Sequence, residues 1–289
     1  MLLPRASDAR AERDPKGPGR MPDMNYILLP AYNEDKTLAK VIASIADVLN
    51  RARKPFRFIV CDDGSTDDTA RVLAELAGHL PITVIRHSPN LGVAQAFRSL
   101  FQEAALLSHQ FSGDDVFVMM EADQTSDPRL LPEMIRLIET GRDVVCASRY
   151  RKGGKYYRFP AKRLFLSVCA NGMMKLCFPI TGIRDYTIFY RAYSSHVLRQ
   201  WFASCPPDQR IESDGFAANA EILIKLRPFL RTVAEVPLVY RYDFKQGKSK
   251  LTILSTIYGY LIKKRVFFRL FRSLPQAPIP QTTSRPPGP

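Results

Sequence analysis

Asp115-Val-Phe-Val-Met-Met-Glu-Ala-Asp-Gln-Thr-Ser-Asp-Pro128 is the stretch on which the reading of this chain turns. Val116 to Met120 form a continuous apolar run, the mark of a strand buried on both faces of a sheet, and the run stops abruptly at Glu121 and Asp123. Carboxylates at i and i+2 on a strand project to the same side, so at a strand tip they can grip one cation together. A solvated loop behind a core strand would carry the same acids without any chemistry. The flanking sequence has to decide between the two.

Working outward, four more apolar runs share this form and alternate with helical periodicity. Tyr26 to Leu29 is closed by Pro30-Ala31-Tyr32-Asn33-Glu34, after which Leu38, Val41, Ile42, Ile45, Val48 and Leu49 predict a helix beginning near Asp35. Phe56 to Cys61 runs into Asp62-Asp63-Gly64-Ser65-Thr66-Asp67-Asp68-Thr69, where Ser65 and Asp68 have capping-box spacing for a helix through Val72, Leu73 and Leu76. Ile82 to Ile85 leads to the turn Asn90-Leu91-Gly92 and a helix carrying Phe97, Leu100, Phe101 and Leu106. Pro128 opens a helix through Leu131, Met134, Ile135 and Ile138 that stops at Gly141, and Val144 to Ala147 is the fifth strand.

Five alternations with short connections imply an α/β fold with a mainly parallel sheet covered by helices on both faces. Ligands of such sheets bind at the carboxyl ends of the strands, where the acid-rich loops after Leu29, Cys61 and Met120 all fall. A nucleotide is the natural guest. The chain has neither a Gly-x-Gly-x-x-Gly turn nor a Gly-Lys-Ser/Thr phosphate loop, so phosphates here would be neutralised through a metal.

The second half is looser. A basic loop from Arg149 to Arg163 precedes an apolar helix with Leu164, Leu166, Val168, Met173, Met174 and Cys177. A short run, Ile188-Phe189-Tyr190, follows Gly182-Ile183-Arg184-Asp185-Tyr186-Thr187. Helices are expected around Val197 to Phe202 and from Asp214 to Leu226, with a strand from Thr232 to Tyr240. Leu251 to Ile262 is uncharged but too short to span a bilayer before Lys263-Lys264-Arg265. With Val266 to Arg272 it forms a basic aromatic segment, 251–273, suited either to an anionic membrane interface or to packing on the core. Residues 1–24 and 274–289 read as disordered tails, the first without a signal-peptide pattern.

The net charge of +14 is concentrated in two places. Arg149, Arg151, Lys152, Lys155, Arg158, Lys162 and Arg163 have no acid between them, and the basic residues from Arg241 to Arg272 face only Asp243. Such localisation argues for a directed anionic partner. The five cysteines form no Cys-x-x-Cys pair and are expected to be reduced core residues of a cytoplasmic protein.

Six segments, in order, resemble family 2 glycosyltransferases with the GT-A fold, and most closely the dolichol-phosphate mannose synthase-like branch. They are Leu29-Pro30-Ala31-Tyr32-Asn33-Glu34, Val60 to Asp67, Asn90-Leu91-Gly92, Glu121-Ala122-Asp123, Ser148-Arg149-Tyr150 with Lys152-Gly153-Gly154, and Gly247-Lys248-Ser249-Lys250. The resemblance covers about residues 25–250, as a nucleotide-sugar half (25–125) and an acceptor half (126–250). It implies that Pro30, Tyr32, Glu34 and Asp62 or Asp63 hold the base and ribose of a nucleotide diphosphate sugar, GDP- or UDP-linked. Lys248 is assigned to the donor contacts with them. Asp123, with Glu121, would bind Mg²⁺ or Mn²⁺ on the diphosphate, and Gln124 would stand just outside that metal shell. Arg149 and Arg163 would hold an acceptor phosphate, a task suited to guanidinium forks.

The chain departs from the pattern at Glu121, where an Asp is usual, and at Gln124, where many relatives are apolar. Val93-Ala94-Gln95 also replaces a Gly-rich continuation of the Asn90 turn, and that turn is assigned no catalytic role.

A sugar hydroxyl acceptor needs a general base, whereas a lipid phosphate is already ionised near neutral pH. His79, His87, His109 and His196 fall outside every motif. Asp185, Asp214 and Glu221 remain as bases for a hydroxyl. The expectation is therefore inverting transfer to a polyprenyl phosphate by an enzyme peripheral to the inner face of the membrane. Transfer to a saccharide or lipid hydroxyl is the first alternative. The second is a non-enzymatic binder of membrane or nucleic acid, since Tyr150, Tyr156, Tyr157 and Phe159 interleave with cations; no nucleic-acid partner is expected on the main reading.

Overall fold

The computed structural model describes residues 23–244. The terminal tails beyond that range, the Gly247-Lys248-Ser249-Lys250 motif and the 251–273 segment lie outside the described residues. The five expected strands are β1 (Asn25–Ala31), β2 (Phe56–Asp62), β3 (Ile82–Arg86), β4 (Val116–Met119) and β5 (Val144–Ser148). With β7 (Arg191–Ser194) and β8 (Val233–Pro237) they form one seven-stranded sheet in the order β3-β2-β1-β4-β7-β5-β8. Every pairing is parallel except those of β7, which runs antiparallel between β4 and β5.

The quoted stretch behaves as a double-sided core strand. Phe117 and Met119 enter one apolar cluster while Val116, Val118 and Met120 enter the other. The second cluster is closed by α1 (Leu38–Arg51), α2 (Thr69–Ala77) and α4 (Leu131–Glu139), through Leu38, Val41, Ile42, Ile45, Leu73, Met134 and Ile135. The first is closed by α3 (Val93–Leu107), α6 (Ser195–Ser204) and α8 (Ala217–Leu226), around Phe97, Phe101, Trp201 and Leu223. Between β5 and β7 the chain forms β6 (Lys155–Tyr157) and α5 (Ala161–Cys177). A four-residue helix, α7 (Pro207–Arg210), links α6 to α8, and β9 (Val239–Arg241) ends the described chain.

The sequence-based expectations shift in five places. The run Ile188–Tyr190 is not the strand; pairing begins at Arg191, whose guanidinium is fully buried and donates to the carbonyls of Asn219 and Tyr186 at 2.7 and 2.6 Å. A buried arginine whose charge is taken up by carbonyls is invisible to a search for apolar runs. The strand expected over Thr232 to Tyr240 breaks at Leu238 into β8 in the main sheet and β9, which pairs with β6 in a two-stranded sheet of its own. Pro30 does not close β1, which runs on through Ala31 opposite Asp62. Ser65 and Asp68 make no capping box. Asp67 accepts from Thr69 N at 3.0 Å, while Ser65 Oγ accepts from Asn33 N at 3.0 Å, so the polar run laces two loops together. Finally, only Cys61 and Cys146 are core residues; Cys169 and Cys177 are exposed on α5 and Cys205 is half-buried.

Candidate active site

β1, β2, β4 and β5 point the same way, so their carboxyl ends share one edge of the sheet. In strand order β4 stands two places from β2 and two from β5. At ~4.8 Å per strand this puts the Glu121–Asp123 tip roughly 10 Å from the Asp62 end and roughly 10 Å from the Arg149 end. The acid pair sits midway between an acidic strand end and a basic one.

The two aspartates after β2, left open by the sequence, have different tasks. Asp63 is saturated: Oδ1 accepts from Leu91 N at 3.0 Å and meets His87 Nδ1 at 2.7 Å, and Oδ2 accepts from Gly92 N and Asn90 Nδ2 at 2.8 and 2.9 Å. It clamps the Asn90 turn against Gly64, where a Cβ would lie 2.5 Å from Asn90 N. Asp62 Oδ1 accepts from Ser65 N at 2.9 Å, but its buried Oδ2 has no hydrogen bond; the nearest cation, Arg86 Nε, is 3.7 Å away. A buried carboxylate oxygen without a donor is a costly arrangement that a ligand N–H or hydroxyl would satisfy.

Pro30, Tyr32 and Glu34 are half-buried at the end of β1. Glu34 N donates to Thr69 Oγ1 at 2.9 Å, and Asn33, held at φ 52°, accepts from Thr66 N at 2.8 Å. These bonds fix the β1 and β2 loops side by side.

At the tip of β4 two neighbouring hydroxyls hold the acid pair. Thr125 donates to Asp123 Oδ1 at 2.5 Å from its hydroxyl and 3.2 Å from its backbone, and Ser126 Oγ donates to Glu121 Oε2 at 2.6 Å. Burial and then the Asp123 charge push the Glu121 carboxyl up, partly offset by the Ser126 bond and the Arg149 charge. Two mutually repelling, hard-oxygen carboxylates, Asp123 buried and Glu121 half-buried, fit a divalent cation, which would remove the repulsion. Among the described residues no group of three or more His, Cys, Asp or Glu could hold a metal. One or two carboxylates completed by substrate phosphates is the ordinary way of holding Mg²⁺. Gln124, at φ 63°, turns its Nε2 into the protein, where it has no partner.

Arg149 is no solvated cation. Its Nε and Nη2 donate to Asp185 Oδ2 and Oδ1, both at 2.7 Å, and Nη2 also reaches Thr187 Oγ1 at 2.7 Å. Tyr156, Tyr240 and Tyr150 surround the guanidinium with ring centroids at 5.2, 5.6 and 5.8 Å. Glu235 sets Asp185 in turn, its Oε1 accepting from the backbone N–H groups of Arg184 and Asp185 at 2.6 and 3.0 Å. Gly154 lets the basic loop fold back over this site, since a Cβ there would lie 2.5 Å from Ser148 O. Arg163 lies in the first turn of α5 and stands 5.9 Å from the Tyr242 ring, against which Phe159 also packs.

Two of the three possible bases are thereby accounted for. Asp185 belongs to Arg149. Glu221, wholly buried, accepts from Glu212 N and Ser213 N at 2.9 and 2.7 Å and pairs with Lys225 at 2.7 Å. Asp214 is exposed. Thr125, Ser126, Asp185 as the arginine's partner and Tyr240 were not singled out by the sequence. The two hydroxyls directly after the acid pair were the one available signal.

A mostly parallel sheet covered by helices on both faces, with acids after β1, β2 and β4 and a buried arginine after β5 along one edge, has the form of a GT-A transferase. Solved structures share this fold: glucosyl-3-phosphoglycerate synthase of Mycobacterium tuberculosis with phosphoglyceric acid superposes with a TM-score of 0.58 at 18% identity, over 86% of this chain and 80% of that one. The same enzyme with Mn²⁺ and UDP-glucose gives 0.57 at 19% identity, over 86% and 79%. Residues 26–202 match the family model described as glycosyl transferase family 2, and the chain belongs to that family. Its relatives include a dolichol-phosphate mannosyltransferase of Pyrococcus furiosus, 31% identical over 85% of this chain and 63% of its own length. A polyprenol monophosphomannose synthase of Mycolicibacterium smegmatis is 27% identical over 87% and 89%. An undecaprenyl-phosphate 4-deoxy-4-formamido-L-arabinose transferase of Serratia proteamaculans is 27% identical over 60% and 49%. The chain thus spans just under two thirds of the archaeal relative and about half of the Serratia one.

Proposed function

We propose that this protein transfers a sugar, with inversion, from a nucleotide diphosphate sugar to a polyprenyl phosphate at a membrane surface. One observation carries the reading: the acceptor end of the strand edge is built around a buried, prealigned guanidinium, Arg149, and two of the three carboxylates considered as bases, Asp185 and Glu221, are consumed in buried ion pairs. Such a site holds an anion and needs no base. The names of the three relatives, all acting on dolichol, polyprenol or undecaprenyl phosphate derivatives, support the same acceptor.

In this reading Asp62 Oδ2 accepts from the donor base, Pro30, Tyr32 and Glu34 line its ribose, and Lys248 contributes to the donor contacts. Glu121 and Asp123 would hold Mg²⁺ or Mn²⁺, which when bound stabilises negative charge on the departing diphosphate. Arg149 and Arg163 orient the acceptor phosphate so that its oxygen meets the anomeric carbon in line. GDP-mannose is the first donor to test, because two relatives are named for mannosyl transfer.

Membrane contact is assigned to α5 as well as to the 251–273 segment. α5 buries Asn171 and Met174, yet exposes Phe165, Val168 and Leu176 at 68, 49 and 84% on one stripe, with Lys162 and Lys175 beside it. Apolar side chains flanked by cations suit an anionic lipid interface. Among the described residues no helix is long and apolar enough to cross a membrane. The test is transfer of radiolabelled sugar in a membrane extract. Label in a lipid released by mild acid is expected; label only in base-stable glycan would refute the acceptor.

A further inference from the structure

Tyr240 meets both halves of the site. Its strand pairs with β6, placing Tyr240 opposite Tyr156, and one residue on Arg241 N donates to Thr125 O at 3.0 Å. The Tyr240 ring stands 5.6 Å from the Arg149 guanidinium. Its hydroxyl faces Thr125, the residue that holds Asp123 Oδ1, and lies within the field of Asp123 and Glu121.

β9 belongs to no part of the seven-stranded sheet. Its position is set by β6 of the basic loop on one side and the carbonyl of the metal loop on the other. Residues 123–125 are thus linked to Arg149 through β9 and the Tyr240 ring, with Leu238 N just before the strand bonded to Ser148 O of β5 at 2.9 Å. Tyr150 and Tyr156 also surround Arg149, but the hydroxyl partner they share is Ser167 of α5, far in sequence from the metal loop.

We propose that Tyr240 is a positioning residue that couples the Glu121–Asp123 loop to the acceptor arginine, so that filling the donor side tightens the anion site at Arg149. This rests on the reading of Arg149 as a phosphate ligand. The physical device is a short strand with two anchors and one side chain spanning them. Energetic coupling through such a contact is reciprocal, so tighter acceptor binding must also tighten donor-side binding by the same factor.

The test is calorimetric titration of the full chain with citronellyl phosphate, a short water-soluble prenyl phosphate. Titrations are run with and without Mn²⁺ and whichever of UDP or GDP stabilises the wild type. In the wild type, Mn²⁺ with nucleotide is expected to lower the Kd for citronellyl phosphate by about tenfold. Tyr240→Phe keeps the ring over Arg149 and removes the hydroxyl. It should bind citronellyl phosphate alone within about twofold of wild type and lose most of the tenfold gain. Tyr240→Ala should weaken citronellyl phosphate binding in both conditions, whereas a purely structural role would lower the melting temperature and leave the gain intact. Wild-type coupling in Tyr240→Phe, or no coupling in the wild type, would overturn the proposal. A wild type that binds Mn²⁺ and nucleotide but not citronellyl phosphate would overturn the acceptor reading and the coupling built on it.

Discussion

The Arg149 guanidinium and the Asp185 carboxylate meet edge to edge, Nε on Oδ2 and Nη2 on Oδ1 at 2.7 Å each, with the arginine 8% and the aspartate 0% exposed. A cation of the basic loop is thus locked in the protein, with one face of its fork already used. Removing the partner would leave an uncompensated buried charge, which costs about 3–5 kcal/mol.

Asp185→Asn should therefore lower the unfolding free energy by about that amount at neutral pH, measured by urea denaturation. Burial alone would raise the Asp185 carboxyl, but the Arg149 charge and hydrogen bonds outweigh it and hold the carboxyl below the usual range. A depressed folded value contributes stability above the unfolded Asp pKa of about 3.9 and loses it as the pH falls through the folded value. The deficit of the variant should accordingly narrow below about pH 4. Equal deficits at pH 7 and pH 3 would contradict the pairing.

Asp62 and Asp63 should separate stability from donor binding. Asp63→Asn turns an amide N–H₂ toward backbone N–H donors of the Asn90 turn, at about 1–3 kcal/mol for each group left unsatisfied, so the melting temperature should fall. Asp62→Asn removes the charge at an oxygen that accepts no hydrogen bond and whose ion pair with the exposed Arg86 spans 3.7 Å. Its melting temperature should stay close to wild type while nucleotide affinity drops about tenfold or more, as read by thermal shift with UDP and GDP.

Glu121 stands against the Asp123 charge, which with burial raises its carboxyl, and on the proposed reading a cation relieves this. Glu121→Gln relieves the repulsion with Asp123 and should raise the melting temperature of the metal-free protein while abolishing its Mn²⁺-dependent shift, the usual conflict between stability and function. Asp123→Ala should abolish turnover with the fold intact, and Glu121→Asp should retain it. Full activity of Asp123→Ala would refute the metal site.

Thiol reactivity should follow burial. Burial, then the Asp63 and Asp62 charges, push the Cys61 thiol up to about 12, and burial against the opposing pull of Arg191 pushes Cys146 up to about 12. Iodoacetamide at pH 8 should label the exposed Cys169 and Cys177 and spare Cys61 and Cys146 until the chain is unfolded, as mapped by mass spectrometry. Because the unfolded thiols lose their protons near pH 8.5, stability should decline as the pH rises beyond that point.

Replacing Phe165 and Leu176 by Asp should release the protein from anionic vesicles in a sedimentation assay with little change in melting temperature, since both side chains are already in water. Retained binding would place the contact elsewhere, on the 251–273 segment.

The five parallel strands, the helices between them and the acids at the strand tips were all legible in the sequence. Apolar periodicity is a local property, and a run such as Val116 to Met119 can be buried on both faces in only a few ways. The sequence also exposed the six family motifs in order. It did not separate Asp62 from Asp63, because both share one residue type and one loop, and only the position of the Asn90 turn decides which carboxylate is used up. The same holds for Asp185, Glu221 and Arg191, whose partners lie 36, 4 and 28 residues away and whose burial depends on how distant elements meet. Tertiary structure alone split the last strand at Leu238 and carried Tyr240 to Arg149. The reason is that strand pairing beyond the local run is chosen by which edges and loops remain unpaired after the main sheet has closed.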